Sequence, residues 1–136
     1  MNIVACLARV PDTASRIQVA PDHSRVLSEG IQYVINPFDE YAIEEALRIK
    51  EKHGGTVKAI TMGPPWAADA LRDAIAMGAD EGWLATDRAF AGADTWATAL
   101  TLSAAIRCAV PDFSLILMGK QAIDGDTAQV GPEVAE

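Results

Sequence analysis

Residues 113–132 read FSLILM-GKQAIDGDTAQVGP, an apolar run followed by a polar loop with three glycines. The run 113–118 is short, apolar and β-favouring, which predicts a buried strand. A helix is predicted to begin at Pro132, because proline suits the first helical position and the acid Glu133 suits the first turn. The connecting loop would have about twelve residues, whereas such loops usually have about two to six. Loops of this length tend to be either functional or disordered.

The composition of this loop suits a phosphate group. Gly119, Gly125 and Gly131 let the backbone approach a ligand and take conformations that other residues avoid. The helix start would add unpaired amides and the positive end of a dipole. The side-chain donors are Lys120, Gln121, Thr127 and Gln129. The alternative is an ordinary polar connection in which Asp126 caps the helix and Gln129 completes a capping box.

Strands and helices alternate along the whole chain. The predicted strands are 3–8, 56–61, 82–86 and 113–118, and the long helices begin at Asn36-Pro37, after Pro65, and at Thr95. Such alternation predicts parallel pairing through right-handed crossovers. We predict an α/β fold with a three-layer, doubly wound, mostly parallel sheet in the order 3-2-1-4, with a fifth strand missing. Residues 12–30 are predicted to form an excursion hairpin outside it.

The predicted strand order reverses between the first and fourth strands. Ligands in such sheets bind beyond the carboxyl ends of the strands at that reversal. The turn after the first strand and the loop 119–131 would meet there. Asn36 and Asp94 are predicted to cap the helices that follow them.

The composition excludes several classes of protein. The 136 residues are 50% hydrophobic, which excludes disorder, and the net charge of −8 argues against binding nucleic acid or an anionic membrane surface. No apolar run approaches the roughly 18 residues of a membrane span, so no membrane insertion is expected. No basic leader precedes the first strand. Cys6 and Cys108 lie in apolar patterns without metal spacing, which predicts buried thiols and a cytoplasmic location.

Standard catalytic motifs are missing from the sequence. No G-x-G-x-x-G follows the first strand, and the residues around Gly119-Lys120 do not form a P-loop. No Ser/His/Asp or Cys/His set is available. Asp124 and Asp126 are better explained as a cap and a ribose acceptor than as an acid–base pair. No catalytic residue and no metal ligand is therefore assigned.

A family resemblance connects these features. The run GKQAIDGDTAQVGP resembles the signature of electron transfer flavoprotein β subunits, with further matches in RVPD at 9–12, NPFDE at 36–40 and AMGAD at 76–80. The resemblance continues in register to residue 136. It implies that residues 1–136 form a nucleotide-binding α/β domain that is a fragment of a longer chain. The version DGDTAQVGP at 124–132 resembles the branch that binds a second FAD and bifurcates electrons from NADH.

The resemblance also implies a function, a cofactor and partners. It implies an electron carrier that forms a heterodimer with an electron transfer flavoprotein α subunit and exchanges electrons with an acyl-CoA dehydrogenase or a quinone oxidoreductase. FAD is the expected ligand of this chain, and AMP is the alternative. A regulatory adenylate-binding module without a redox role is the alternative function. An ATP-pyrophosphatase-type enzyme is disfavoured, because residues 8–13 lack its phosphate loop.

The resemblance assigns the adenine-nucleotide site to four segments, which are the ends of the first two strands, the N-P-F segment and the G-K-Q loop. The residues are Cys6, Asn36, Pro37, Phe38, Asp39, Met62, Gly119, Lys120, Gln121, Ala122, Ile123, Asp124, Gly125, Asp126, Thr127, Ala128, Gln129 and Val130. Cys6 and Met62 would pack near the base edge, and the amide of Asn36 would be able to read adenine. Thr95 and Thr98 are candidates for additional phosphate contacts.

Overall fold

A computed structural model describes residues 1–27 and 29–136, and its centre is a four-stranded parallel sheet. In chain order the strands are β1 (Asn2–Leu7), β2 (Arg9–Pro11), β3 (Gln18–Val19), β4 (Val26–Leu27), β5 (Tyr33–Ile35), β6 (Thr56–Met62), β7 (Glu81–Ala85) and β8 (Leu115–Met118). The α-helices are α1 (Pro37–His53), α2 (Ala68–Met77), α3 (Thr95–Ala109) and α4 (Val130–Ala135). The central sheet has the order β7-β6-β1-β8. The predicted order 3-2-1-4 is therefore confirmed.

The helices cover both faces of this sheet. Successive side chains of β1 point to opposite faces, so Ile3 and Ala5 pack against α1 and α2, whereas Val4 and Cys6 pack against α3. The side chains from both faces form two buried apolar clusters, one on each side of the sheet. The predicted three-layer arrangement is confirmed.

The excursion between β1 and α1 contains two small antiparallel pairs. The strands β3 and β4 pair as Gln18 with Leu27 and Val19 with Val26, so the predicted hairpin is present, although Ser28 lies outside the described residues. A second pair, β2 with β5, was not predicted from the sequence. It returns the chain to the end of β1, where the amide of Asn36 donates to the carbonyl oxygen of Ala8 at 2.9 Å.

The predicted starts of α1 and α3 are confirmed, whereas the predicted start of α4 and the capping bond of Asn36 are wrong. Asn36 occupies the position before α1, but within the described part of the chain its side chain makes no capping bond to the first turn, because it bonds instead to the loop after β8. The last helix begins at Val130 rather than Pro132, because Val130 and Val134 pack into the apolar cluster beside α3. Asp94 caps α3 as predicted, accepting from the amide of Ala97 at 2.9 Å.

Among the described residues, none of the helices is both long and apolar enough to cross a membrane.

Candidate functional site

A cavity of about 190 Å³ opens at the carboxyl ends of β1, β6 and β8. Leu7 and Ala8 line it at the end of β1, and Met118 lines it at the end of β8. The side chains of Thr98 and Leu102 approach from α3. The loop that follows β8 forms the remaining wall. This is the reversal point at which the strand order predicts a ligand crevice.

Most of the predicted site residues line this cavity. They are Cys6, Asn36, Asp39, Met62, Gly119, Lys120, Gln121, Ala122, Gly125, Asp126, Thr127, Ala128, Gln129 and Val130. Pro37, Phe38, Ile123 and Asp124 are not among the lining residues. Pro37 and Asp124 are exposed to solvent, and the amide of Ile123 is bonded to Asn36. Contact of any of these residues with a nucleotide remains a prediction.

The two candidate threonines of α3 have different surroundings in the structure. Thr98 lines the cavity. The hydroxyl of Thr95 instead donates to Oε1 of Glu133 at 3.2 Å, which ties α4 to the start of α3. The predicted site residues did not include Leu7, Ala8, Leu102 and Met118, which also line the cavity, and Gly131 was predicted only as part of the loop. Met118 could have been found, because the predicted strand order places it beside Cys6, its partner across the β1–β8 pair.

The side chain of Asn36 holds the beginning of the loop. Its Nδ2 donates to the carbonyl oxygen of Gln121 at 2.8 Å, and its Oδ1 accepts from the amide of Ile123 at 3.2 Å. Asn36 is only 1% exposed. The structure therefore gives the amide group backbone partners in the loop, whereas the sequence had suggested a helix cap or a base-reading contact.

The carboxylate of Asp39 lies where β1 and β8 diverge. Its Oδ2 accepts from the amide of Ala8 at 2.8 Å, and its Oδ1 accepts from the amide of Gly119 at 3.0 Å. Ala8 and Gly119 are the first residues beyond the two strands. Burial raises the pKa of Asp39 above its usual range, although the amide donors favour the charged form. The position in the first turn of α1 also favours a negative charge.

Gly119 is a glycine because the start of α1 packs against it. A Cβ at this position would contact the Asp39 carboxylate and lie 2.6 Å from the carbonyl carbon of Phe38. The loop also differs from the expectation that its glycines supply unusual backbone conformations. The left-handed residues are Asp126 (φ 55°) and Ala128 (φ 56°), and none of the three loop glycines has a φ in that range.

The middle of the loop is open and is held by its own side chains. The amide side chain of Gln121 donates to the carboxylate of Asp126, and that of Gln129 donates to the carbonyl oxygen of Thr127 at 3.3 Å. These bonds replace the alternative capping box. No heavy atom of the described residues lies within 4 Å of a Cβ built on Gly125, apart from its chain neighbours. The space beside Gly125 is therefore available to a ligand.

Comparison with known proteins identifies the family. A family model described as "Electron transfer flavoprotein domain" matches residues 24–136. The chain belongs to the electron transfer flavoprotein family. Electron transfer flavoprotein subunit beta of Thermoanaerobacterium thermosaccharolyticum is 54% identical over 136 residues, which are 100% of this chain and 51% of that protein. The resemblance seen in the sequence is confirmed.

Two further relatives of this electron transfer flavoprotein chain carry different names. Protein FixA of Azotobacter vinelandii is 51% identical over 138 residues, covering 100% of this chain and 49% of the relative. Caffeyl-CoA reductase-Etf complex subunit CarD of Acetobacterium woodii is 50% identical over 137 residues, covering 100% of this chain and 52% of the relative. The chain therefore spans about half the length of the curated relatives it matches.

A second, larger cavity of about 760 Å³ adjoins the first in this electron transfer flavoprotein chain. The two cavities share Met62 and Thr98. The walls of the second come from the segments that follow β6 and β7. Together the cavities extend along the carboxyl edge of all four strands of the central sheet.

The two cysteines of this electron transfer flavoprotein chain are expected to differ strongly in reactivity. Cys6 is buried at the cavity, and burial, with a smaller contribution from the charge of Asp39, raises its pKa to about 12. Cys108 is exposed on α3, so the prediction that both thiols are buried is wrong for Cys108. Because the thiolate is the reactive form, iodoacetamide at pH 8 should modify Cys108 and leave Cys6 intact, as measured by peptide mapping. Both should react after denaturation, and native labelling of Cys6 as fast as Cys108 would contradict the burial.

Proposed function

We propose that residues 1–136 form the nucleotide-binding domain of an electron transfer flavoprotein β subunit and that the cavity beside the loop 119–129 holds its adenine nucleotide. The main support is that this long loop lines the cavity at the sheet reversal. The family membership of the chain supports the redox role. Because the chain spans about half the length of its relatives, the electron-transfer activity is proposed for the whole protein.

The cavity has an apolar part that suits an adenine ring. Cys6, Met62, Leu102 and Met118 lie on this side, at the ends of the strands and on α3. The thiol of Cys6 is neutral at ordinary pH, because its pKa is raised to about 12 by burial. A planar base would therefore pack against these side chains without facing a negative charge on the sulfur of Cys6.

The loop side of the cavity suits the phosphates and the ribose. Lys120 brings a positive charge, and Thr127 and Gln129 bring side-chain donors. The open space beside Gly125 allows a phosphate to approach the backbone. Asp39 already occupies the first turn of α1, so the positive end of that helix is partly neutralised and the phosphates are expected on the loop side.

The adjoining cavity favours FAD over AMP. The first cavity, about 190 Å³, is smaller than the usual range of about 300–1,000 Å³ for ligand pockets. The second cavity begins at Met62 and Thr98, where the first one ends. A ligand longer than AMP would therefore find room along the same edge of the sheet.

Bound FAD would supply the electron-carrying chemistry, and this chain would bind the adenylate part and orient the rest. We infer that the complete protein is a cytoplasmic heterodimer with an electron transfer flavoprotein α subunit. An acyl-CoA dehydrogenase or a quinone oxidoreductase would exchange electrons with it. The names of the relatives agree with such an assembly, since one is a subunit beta and another a complex subunit.

The nucleotide content of the full-length complex tests this proposal. The complex, purified with its partner subunit, should release two FAD molecules per heterodimer when it is denatured and analysed by chromatography. One FAD and one AMP per heterodimer would contradict the binding of FAD by this chain. That result would still support an adenylate site in this chain. AMP or ATP without any flavin would favour the regulatory module instead, and a complex without adenine nucleotide would contradict the site.

A further inference from the structure

The start of α1 holds the loop after β8 through two buried side chains, Asn36 and Asp39. We propose that these two residues, here called the α1 clamp, are positioning residues that fix the first half of the loop in its ligand-binding arrangement. This inference rests on the proposed function, because it assigns the clamp to the nucleotide site. It predicts that loosening the clamp frees residues 119–123 and thereby speeds nucleotide loss.

The Asp39 half of the clamp joins two strand ends. One carboxylate oxygen accepts from the amide of Ala8 at 2.8 Å and the other from the amide of Gly119 at 3.0 Å. Beyond the pair of Cys6 with Met118, β1 and β8 are no longer paired with each other. The carboxylate therefore replaces ladder hydrogen bonds at the point where the two strands separate and the cavity begins.

The Asn36 half of the clamp holds the next residues of the loop. Its amide group donates to the carbonyl oxygen of Gln121 and accepts from the amide of Ile123, at 2.8 and 3.2 Å. Asn36 and Asp39 are three residues apart and so share one side of the helix start. The clamp thus bonds the loop at three positions: 119, 121 and 123.

The geometry separates a fixed part of the loop from a free part. Residues 124–127 are exposed beyond the clamp, and the loop is anchored again where Val130 packs into the apolar cluster beside α3. Asn36 and Asp39 are only 1% and 6% exposed, and their polar atoms face the backbone. Their contribution to binding is therefore expected to pass through the loop position.

Three variants of the full-length complex test the clamp. Asp39→Asn keeps the size of the side chain. It replaces one of the two carboxylate oxygens by an NH2 group, and this donor would face the amide of Ala8 or Gly119, which is also a donor. Asn36→Asp keeps the acceptor for Ile123 and replaces the donor to Gln121. Asp80→Asn is the control, because Asp80 also accepts from a backbone amide, that of Val57 at 2.8 Å, near the amino-terminal edge of the sheet.

The main measurement is the rate at which the complex loses its bound FAD after dilution (or AMP, if that is the nucleotide found in this chain), with hydrogen exchange of residues 119–123 as a second measurement. Asp39→Asn and Asn36→Asp should each speed nucleotide loss about tenfold or more, which corresponds to about 1.4 kcal/mol, and should speed exchange in the loop. Asp80→Asn should lower Tm and leave both quantities unchanged.

Two outcomes distinguish the clamp from the proposed function. Unchanged nucleotide loss and unchanged exchange in both clamp variants would overturn the clamp and leave the nucleotide site standing. A wild-type complex without adenine nucleotide would overturn the proposed function, and it would overturn the clamp as well, because the clamp is assigned to that site. If Asp39→Asn does not fold, Asn36→Asp decides the question, since it retains the bond to Ile123.

Discussion

Replacing Gly125 by valine is expected to abolish retention of the adenine nucleotide and to leave the fold intact. The substitution is tolerable for the protein because no heavy atom of the described residues, chain neighbours aside, lies within 4 Å of a Cβ at this position. The φ of Gly125 also lies outside the left-handed range. The branched side chain would occupy the space beside the loop in which the phosphates are proposed to bind. Gly125→Val therefore separates binding from folding.

The expected effect on affinity is large. Forcing methyl groups into an occupied space costs about 1–3 kcal/mol or more, and each 1.4 kcal/mol is about a tenfold change in the dissociation constant. We expect Kd to rise about a hundredfold, so that the purified full-length complex carries little or no nucleotide in this chain. Chromatography of the released nucleotides measures retention, and circular dichroism with Tm measures the fold.

A matched control for Gly125→Val is Ala14→Val, which adds methyl groups to an exposed turn that is distant in sequence from Gly125. Ala14→Val should retain the full nucleotide content and the wild-type Tm. Full retention in Gly125→Val would remove the middle of the loop from the site. Loss of both nucleotide and fold would contradict the open environment of Gly125.

The central sheet could be predicted because its determinants are local. Most of the strands are short apolar runs and the long helices have apolar faces, so alternation along the chain was sufficient to predict the layers. The order 3-2-1-4 was chosen as a common order of doubly wound sheets. The pair of β2 with β5 was missed because three-residue strands have no measurable periodicity. The start of α4 was placed too late because Pro132 is a strong local signal, whereas packing of Val130 and Val134 beside α3 decides where the helix begins.

The candidate site was predictable in its location and less so in its internal bonds. The length and composition of the loop marked it as functional, and the strand order brought it to the cavity. The role of Asn36 depends on residues 85 and 87 positions away, which local capping rules do not consider. The same holds for Gly119, whose neighbours Phe38 and Asp39 come from α1. Side-chain contacts between distant segments, unlike the pairing of the central strands, could not be predicted from the sequence.

Replacing Gly119 by alanine is expected to destabilise the fold, in contrast to Gly125→Val. The new Cβ would contact the Asp39 carboxylate and lie 2.6 Å from the carbonyl carbon of Phe38 and 2.8 Å from the amide nitrogen of Asp39. Two of these atoms belong to the backbone of the first turn of α1, so they cannot move aside as a flexible side chain would. Relief requires α1 and the end of β8 to separate, which breaks the bond from the Gly119 amide to Asp39.

We expect Gly119→Ala to lower the free energy of unfolding by about 1–3 kcal/mol, the usual cost of overpacking, and to lower Tm accordingly. The control is Gly131→Ala, because no described heavy atom beyond its chain neighbours and the backbone of its own helix lies within 4 Å of a Cβ there. Alanine inside α4 should leave stability unchanged or raise it by about 0.5–1 kcal/mol. Both variants are compared by thermal unfolding of the full-length protein after its nucleotide is removed, because Gly131 also lines the cavity. Equal Tm values for the two variants would contradict the close packing of α1 on Gly119 and, with it, the first of the contacts that hold the loop.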